Sequence, residues 1–365
     1  MLAPGQGRPN VTAIRLALRG LILRGLILRS LILRSLISTF ALCMMLAEAR
    51  AAATAHPAAT VAEIDSQGCC CGILPRPQDQ IWLVSCRGLG CDDGDPAALE
   101  YWYYADGTGW VRSEEHAFRE SAEPGVRTTV FVHGNRISSG LAFDIGVAVY
   151  RAMACHADTD QPIRLVIWSW PSERIDGGQL EDVRVKFGRT KSVGHRLARW
   201  IARLDENAPL TLIGYSFGSP IVTSSLHLLG GGAVNGYSLD AAEIKNREPA
   251  RAVLIAPAMD NDWLLPGCKH GLALGQVERM LIVTNSCDGV LKRYHRLYCR
   301  SRRHCGPEAL GYTGLAGAWR LGDDRAKIEH TDVCCRIGKQ HDWRLYIGSS
   351  SLMRQIAPYV FDPPL

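Results

Sequence analysis

The sequence predicts an α/β fold, a mostly parallel sheet covered by helices on both faces, from three observations. From residue 80 onward, short apolar runs rich in strand formers alternate with longer stretches of helical spacing. One of those runs opens directly into Gly214-Tyr-Ser-Phe-Gly218, a turn between a strand and a helix. The other turns that carry reactive side chains also follow apolar runs. That puts them at the carboxyl ends of strands, where ligands bind on such sheets.

The elements follow in order. Residues 81–84 make a short strand, and 99–104 with 109–111 make two more around the Asp106-Gly107 turn, an antiparallel entrance to the sheet. Residues 128–132 form a buried strand ending in His133-Gly134-Asn135-Arg136, and 141–154 have helical spacing. The strand 164–168 ends in Ser169-Trp170-Pro171, and 185–204 form a basic, amphipathic helix. Residues 210–213 lead into the turn at Ser216, and 221–229 supply the helix after it. Two further strands lie at 252–256 and 280–284, a last one at 327–334, and a closing helix at 349–360. The connection between 256 and 280 is too short for a large lid, so a small or absent lid and an open cleft are expected.

The body follows a different composition. Of the 41 Lys and Arg in the 365-residue chain, seven arginines fall within the first 51 residues, against a single acid, Glu48. The net charge of +5 is therefore a property of this leader, the rest is about neutral, and no nucleic-acid partner is read from it. Four tandem pentads, from Leu18-Arg-Gly-Leu-Ile22 onward, repeat an arginine every five residues. That step turns about 140° around a helix of about 3.6 residues per turn, so the charges spiral over all faces and no stable transmembrane anchor results. Residues 35–47 then form an uncharged apolar core followed by small residues at Ala47, Ala49 and Ala51, the layout of a secretory signal peptide. The expected organisation is a leader over 1–51, a flexible tether over 52–79 and one domain over 80–365. The domain is expected to be secreted or periplasmic, or cytoplasmic if translation starts downstream of the leader.

Thirteen cysteines include Cys43 in the leader, which leaves an even number for an exported chain to pair. Cys86/Cys91 and Cys299/Cys305 are local candidates. Neither the run Cys69–Cys71 nor Cys334-Cys335 presents four ligands tetrahedrally, and no metal or other cofactor is expected.

The spacing around Ser216 has a steric reason. A serine at the tip of a strand-to-helix turn adopts a strained backbone, and strand and helix pass close only if Gly214 and Gly218 flank it. The helix N-terminus then leaves the Phe217 N–H free to bind an anion. Phe131-Val-His-Gly-Asn-Arg136 after one strand, Gly214-Tyr-Ser-Phe-Gly218 after a later one, then an acid and a histidine in that order, resembles the α/β-hydrolase superfamily. Within it the likeness is to bacterial serine-hydrolase branches of unassigned substrate with a Val-His-Gly-Asn loop and a Trp-Pro-Ser sequence, here Trp170-Pro171-Ser172. It covers roughly residues 80 to 360.

The resemblance implies an α/β-hydrolase fold and an esterase-like serine hydrolase, with Ser216 as nucleophile, an acid beyond a late strand and a histidine beyond the last. Asp288, in the Asp-Gly turn after the strand 280–284, is the candidate acid, with Asp260 and Asp262 as alternatives. His341, in a loop, is the candidate base, and His330, inside a strand, reads as structural. The Phe217 and Asn135 N–H groups form the implied oxyanion site, with Gly134 permitting close approach and His133 as a prop. Trp170, with Trp168 and Pro171 beside it, Tyr215 and Arg136 are candidate substrate contacts for a small-molecule or lipid-like ester. The six Lys and Arg within 292–303 read as a solvated basic face.

Overall fold

A computed structural model of the chain describes residues 75–89, 99–244, 246–298 and 306–363. The leader repeat, the signal-like stretch, residues 52–74 of the expected tether and Cys299/Cys305 lie outside the described residues. The end of that tether, by contrast, is packed: Arg76 pairs with buried Asp79, which accepts from the Tyr150 hydroxyl and the Ile163 N–H.

Among the described residues nine strands form one sheet: β1 (Gln80–Ser85), β2 (Glu100–Ala105), β3 (Gly109–Ser113), β4 (Arg127–Val132), β5 (Ile163–Ser169), β6 (Leu210–Tyr215), β7 (Ala250–Ile255), β8 (Val277–Thr284) and β9 (Ile328–Asp332). Their order is β3-β2-β1-β5-β4-β6-β7-β8-β9, and β2 alone runs against the others. Every residue of β4 to β7 is buried, as expected for strands covered on both faces, and this explains the apolar runs 130–132, 165–168, 212–213 and 252–255 that they carry. The sheet with helices on both faces is an α/β-hydrolase fold.

The helices are α1 (Glu115–Glu120), α2 (Ser139–Ala154), α3 (Gln179–Ala202), α4 (Gly218–Leu229), α5 (Leu310–Thr313), α6 (Cys334–Ile337), α7 (Trp343–Ile347) and α8 (Ser350–Phe361). The helices α2 and α8 pack together on one face, α3 and α4 on the other. The Ser138 side chain caps α2 by accepting from the Leu141 N–H. At the base of the sheet Arg251, buried in β7, pairs with Glu278 and donates to the carbonyls of Pro358, Asp362 and Pro363, which pins the end of α8.

The sequence places α3 six residues too late. Its true start follows Gly177-Gly178, and the polar first turn, with Glu181 and Asp182 at the positive end of the helix, has no apolar periodicity to mark it. The connection from β7 to β8 is short, as expected. The larger excursion lies between β8 and β9, where short helical turns, including the 3-10 turn Leu291–Leu297, replace the long helices that sequence periodicity detects. In that turn Lys292, Arg293 and Arg296 are exposed, in keeping with a solvated face.

The chain runs from β4 to β5 on one side, then from β5 across β4 to β6 on the other, so the loops leaving β4 and β6 diverge. Such a switch point opens a crevice at the carboxyl ends of the strands. Cys287 and Cys334 form a disulfide between the loop after β8 and the start of α6, and Cys155 is also disulfide-bonded. The candidate partner Cys91 lies outside the described residues, and Cys86 is not disulfide-bonded. Cys86 is a free, buried thiol whose pKa burial pushes up to about 12, an inert packing residue.

Candidate active site

Ser216 sits between β6 and α4 with φ +52°, the left-handed region that side chains other than glycine rarely occupy. The glycines on either side explain how the turn closes. A Cβ on Gly214 would lie 2.6 Å from Ser219 Cα, and one on Gly218 would overlap the Val132 carbonyl at the end of β4. Strand, helix and neighbouring strand therefore meet at backbone distance.

His341 reaches this turn from the segment after α6. Its Nε2 lies 2.8 Å from Ser216 Oγ and its Nδ1 2.6 Å from Asp288 Oδ2. Asp288 is fully buried, and its Oδ1 accepts the Val290 and Leu291 N–H groups at 2.8 and 3.0 Å, which leaves Oδ2 turned to the imidazole. The Tyr346 hydroxyl also donates to Oδ2, at 3.3 Å. With Nδ1–H facing a carboxylate, Nε2 is left as an acceptor toward the serine hydroxyl.

Two loops hold this pair in place. The Asn285 amide donates to the Gly338 carbonyl and to Tyr346, Gly289 N–H donates to the Lys339 carbonyl, and the Cys287–Cys334 disulfide ties the same loops covalently. The Tyr215 hydroxyl donates to the His341 carbonyl at 2.9 Å, and its ring stacks on the imidazole at 5.5 Å. Sequence reasoning missed Asn285 and Tyr346. Their signal was weak, an amide just past a strand and an aromatic in a short helix.

The loop after β4 passes directly beside Ser216. A Cβ on Gly134 would lie 2.9 Å from Tyr215 Cδ1 and 3.2 Å from Ser216 Cβ, so only glycine fits. His133 is buried, and burial with the nearby Arg87 pushes its pKa down to about 3. The neutral ring accepts at Nε2 from the Trp170 N–H, 3.3 Å away, so its Nδ1–H donates to the Gly134 carbonyl at 2.9 Å. Because a trans peptide sets C=O and N–H on opposite sides, this bond turns the Asn135 N–H away from His133. Among the described residues, neither the Asn135 nor the Phe217 N–H donates to a protein acceptor.

The remaining candidates lie elsewhere. Asp260 accepts from Trp263 Nε1 at 2.7 Å and from the Tyr294 and Tyr298 hydroxyls at 2.7 and 2.9 Å, with no bond to His341. His330 Nε2 lies 3.0 Å from Thr284 Oγ1 within the sheet. Trp168 and Trp170 are completely buried, Trp170 stacked on His133 and donating to its carbonyl, so they form no pocket wall. Tyr215 is buried as well, and its place is behind the histidine rather than against a substrate. Arg136, at φ +61°, is exposed and pairs with Asp182 at 3.2 Å, and Asp182 also binds Lys186.

Among the described residues no cluster of His, Cys, Asp and Glu is arranged to hold a metal ion, and no helix is long and apolar enough to cross a membrane.

No family model and no curated protein matches the sequence. Among solved structures the chain is similar to an inhibited esterase B from Lactobacillus rhamnosis, with 11% identity and a TM-score of 0.38 over 78% of this chain and 87% of that one. It is also similar to an acetylxylan esterase, with 14% identity and a TM-score of 0.31 over 65% of this chain and 97% of the other. Likenesses this distant concern the path of the chain, and the chemistry must be read from the site itself.

Proposed function

We propose that the chain is a serine hydrolase that cleaves a carboxylic ester or related acyl bond through an acyl-enzyme on Ser216. The observation that carries this reading is the continuous relay from Ser216 Oγ through His341 to the buried Asp288, at 2.8 and 2.6 Å.

A serine hydroxyl is a weak nucleophile near neutral pH. His341 Nε2 takes its proton as Oγ adds to the carbonyl carbon, and Asp288 holds the tautomer and stabilises the imidazolium that forms. The carbonyl oxygen becomes an oxyanion held by the Phe217 and Asn135 N–H groups, which are preorganised by the elbow and by the His133–Gly134 bond. His341 returns the proton to the leaving alcohol oxygen. Water then adds to the acyl-enzyme by the same route in reverse, releasing the acid and restoring Ser216. No step calls on a cofactor.

The domain 80–365 would act outside the reducing cytosol, a reading supported by the disulfide beside Asp288. The test of the chemistry is fluorophosphonate labelling of oxidised protein beginning near Ala52, wild type beside Ser216→Ala, with the adduct located by mass spectrometry. An adduct on Ser216 that vanishes in the variant is the expected result. Folded protein that does not label would instead favour a binding protein that keeps the fold without turnover.

A further inference from the structure

The loop that carries Gly134 and Asn135 is held at both ends by one side chain from outside it. Arg87 follows β1, which β5 separates from β4, and its side chain lies back across the ends of both strands. Its Nη2 sits 3.2 Å from His133 Nε2, where the loop begins, and 3.1 Å from the Ile137 carbonyl oxygen, where it ends. Its Nε donates to Ser169 Oγ, the last residue of β5, at 2.6 Å, and its Nη1 pairs with Glu173. The Arg87 side chain is only 10% exposed, so water competes little for these contacts. The loop after β5 adds its own support: the Ser172 hydroxyl accepts from the Ile137 N–H at 3.2 Å and donates to the Ile137 carbonyl at 3.0 Å.

A guanidinium has donors and no acceptor, which fixes the state of the imidazole it meets. His133 Nε2 must offer its lone pair, and the ring proton stands on Nδ1, facing the Gly134 carbonyl at 2.9 Å. In a chain of hydrogen bonds each member polarises the next. The charge on Arg87 makes the Nδ1–H a stronger donor, and the Gly134–Asn135 peptide passes that polarisation on to the Asn135 N–H. This peptide lies at the nucleophile, since a Cβ on Gly134 would stand 3.2 Å from Ser216 Cβ.

Resting on the hydrolase reading, we infer that Arg87 is a positioning residue for the oxyanion site, which acts through His133 to set and polarise the Gly134–Asn135 peptide. A brace that merely tied three loops together would not change how strongly that site binds a developing charge.

The probe is a fluorophosphonate, whose phosphoryl oxygen takes the oxyanion position as Ser216 adds, used beside its counterpart with P=S in place of P=O. Sulfur accepts hydrogen bonds weakly and stands on a longer bond, so the P=S reagent draws little from the N–H pair. The P=O to P=S ratio of second-order labelling rates at Ser216 therefore reads the oxyanion donors. It is taken within each variant, so a general loss of reactivity cancels. Arg87→Gln is expected to lower the ratio by roughly tenfold, less than the loss on the order of 10²-fold that follows removal of a whole donor. His133→Phe keeps a ring against Trp170 but breaks the relay, and should lower the ratio at least as far. Because the two residues act in series, the double variant should be no worse than His133→Phe alone. Arg87→Lys keeps a charge opposite Glu173, but one ammonium cannot span Ser169, His133 and Ile137, so its ratio should fall between.

An unchanged ratio in Arg87→Gln, or in Arg87→Lys where the glutamine variant does not fold, would overturn the role of Arg87 and leave a reactive Ser216 standing. Losses that multiply in the double variant would do the same. Folded wild-type protein that neither reagent labels overturns the hydrolase reading, and the role of Arg87 with it.

Discussion

Among the described residues two hydroxyl–imidazole pairs stand at the same distance in very different surroundings. Ser216 Oγ and His341 Nε2 are 2.8 Å apart, as are Thr223 Oγ1 and His270 Nδ1. Ser216 stands at the strained tip of a turn, whereas Thr223 lies inside α4 and also donates to the Ser219 carbonyl. A buried carboxylate orients His341. His270 has no acid partner among the described residues, and burial with Lys269 and His227 nearby depresses its pKa well below the ordinary value. Two N–H groups stand ready beside Ser216, while the helix around Thr223 consumes its own. An imidazole near a hydroxyl is thus a common packing solution. What distinguishes a site is the orienting carboxylate, the strained presentation and donors left without a partner.

The largest effect that would break this contrast is the loss of either partner in the first pair. Ser216→Ala or His341→Ala should each lower kcat by roughly 10⁶-fold, and the double variant should be little worse because the residues act as a unit. Additive losses in ester turnover would deny that unit. Asp288→Asn should cost on the order of 10⁴-fold in kcat, with Asp260→Asn far milder, and the reverse order would move the carboxylate role to Asp260.

Next comes the brace. Replacing Cys287 and Cys334 by Ser together removes a cross-link spanning 47 residues. By loop closure this should lower stability by about 4 kcal/mol, read from the urea midpoint, and an unchanged midpoint would show that the hydrogen bonds between the two loops suffice. Acid then sharpens the role of the buried histidines. His133 is held neutral in the folded chain, from an ordinary 6.5 down to about 3, so the unfolded chain binds more protons between those values. Its contribution to stability is complete above about 6.5 and falls by about 1.4 kcal/mol per pH unit below it. His270 acts in the same sense, and His270→Gln should flatten the dependence of urea stability on pH by about one proton. The smallest effect belongs to Thr223→Val, which should lower stability by about 1 kcal/mol and leave ester kcat as it is. A catalytic loss there would erase the contrast between the pairs.

The alternation of strands and helices is legible in the sequence because β4 to β7 are buried on both faces and carry apolar runs after one to three polar residues near their starts. The glycines flanking Ser216 are legible because steric exclusion allows no substitute. Chain order brings Asp288 and His341 forward, but it leaves Asp260 and His330 beside them, since hydrogen-bond partners are a property of three dimensions. Trp170 shows the limit from the other side: an aromatic after a strand reads as pocket wall or as core alike, and the stacked His133 places it in the core.

The Cys287–Cys334 bridge has a consequence for the chain's fate under proteolysis. A single cut anywhere between Asp288 and Val333 would divide the molecule into one fragment with Ser216 and Asp288 and another with His341. The sulfur bond would keep the two as one covalent molecule. Such a nicked protein would run as a single species without reductant and as two with it, and its hydrolytic fate would be decided by the reducing power of its surroundings rather than by the protease.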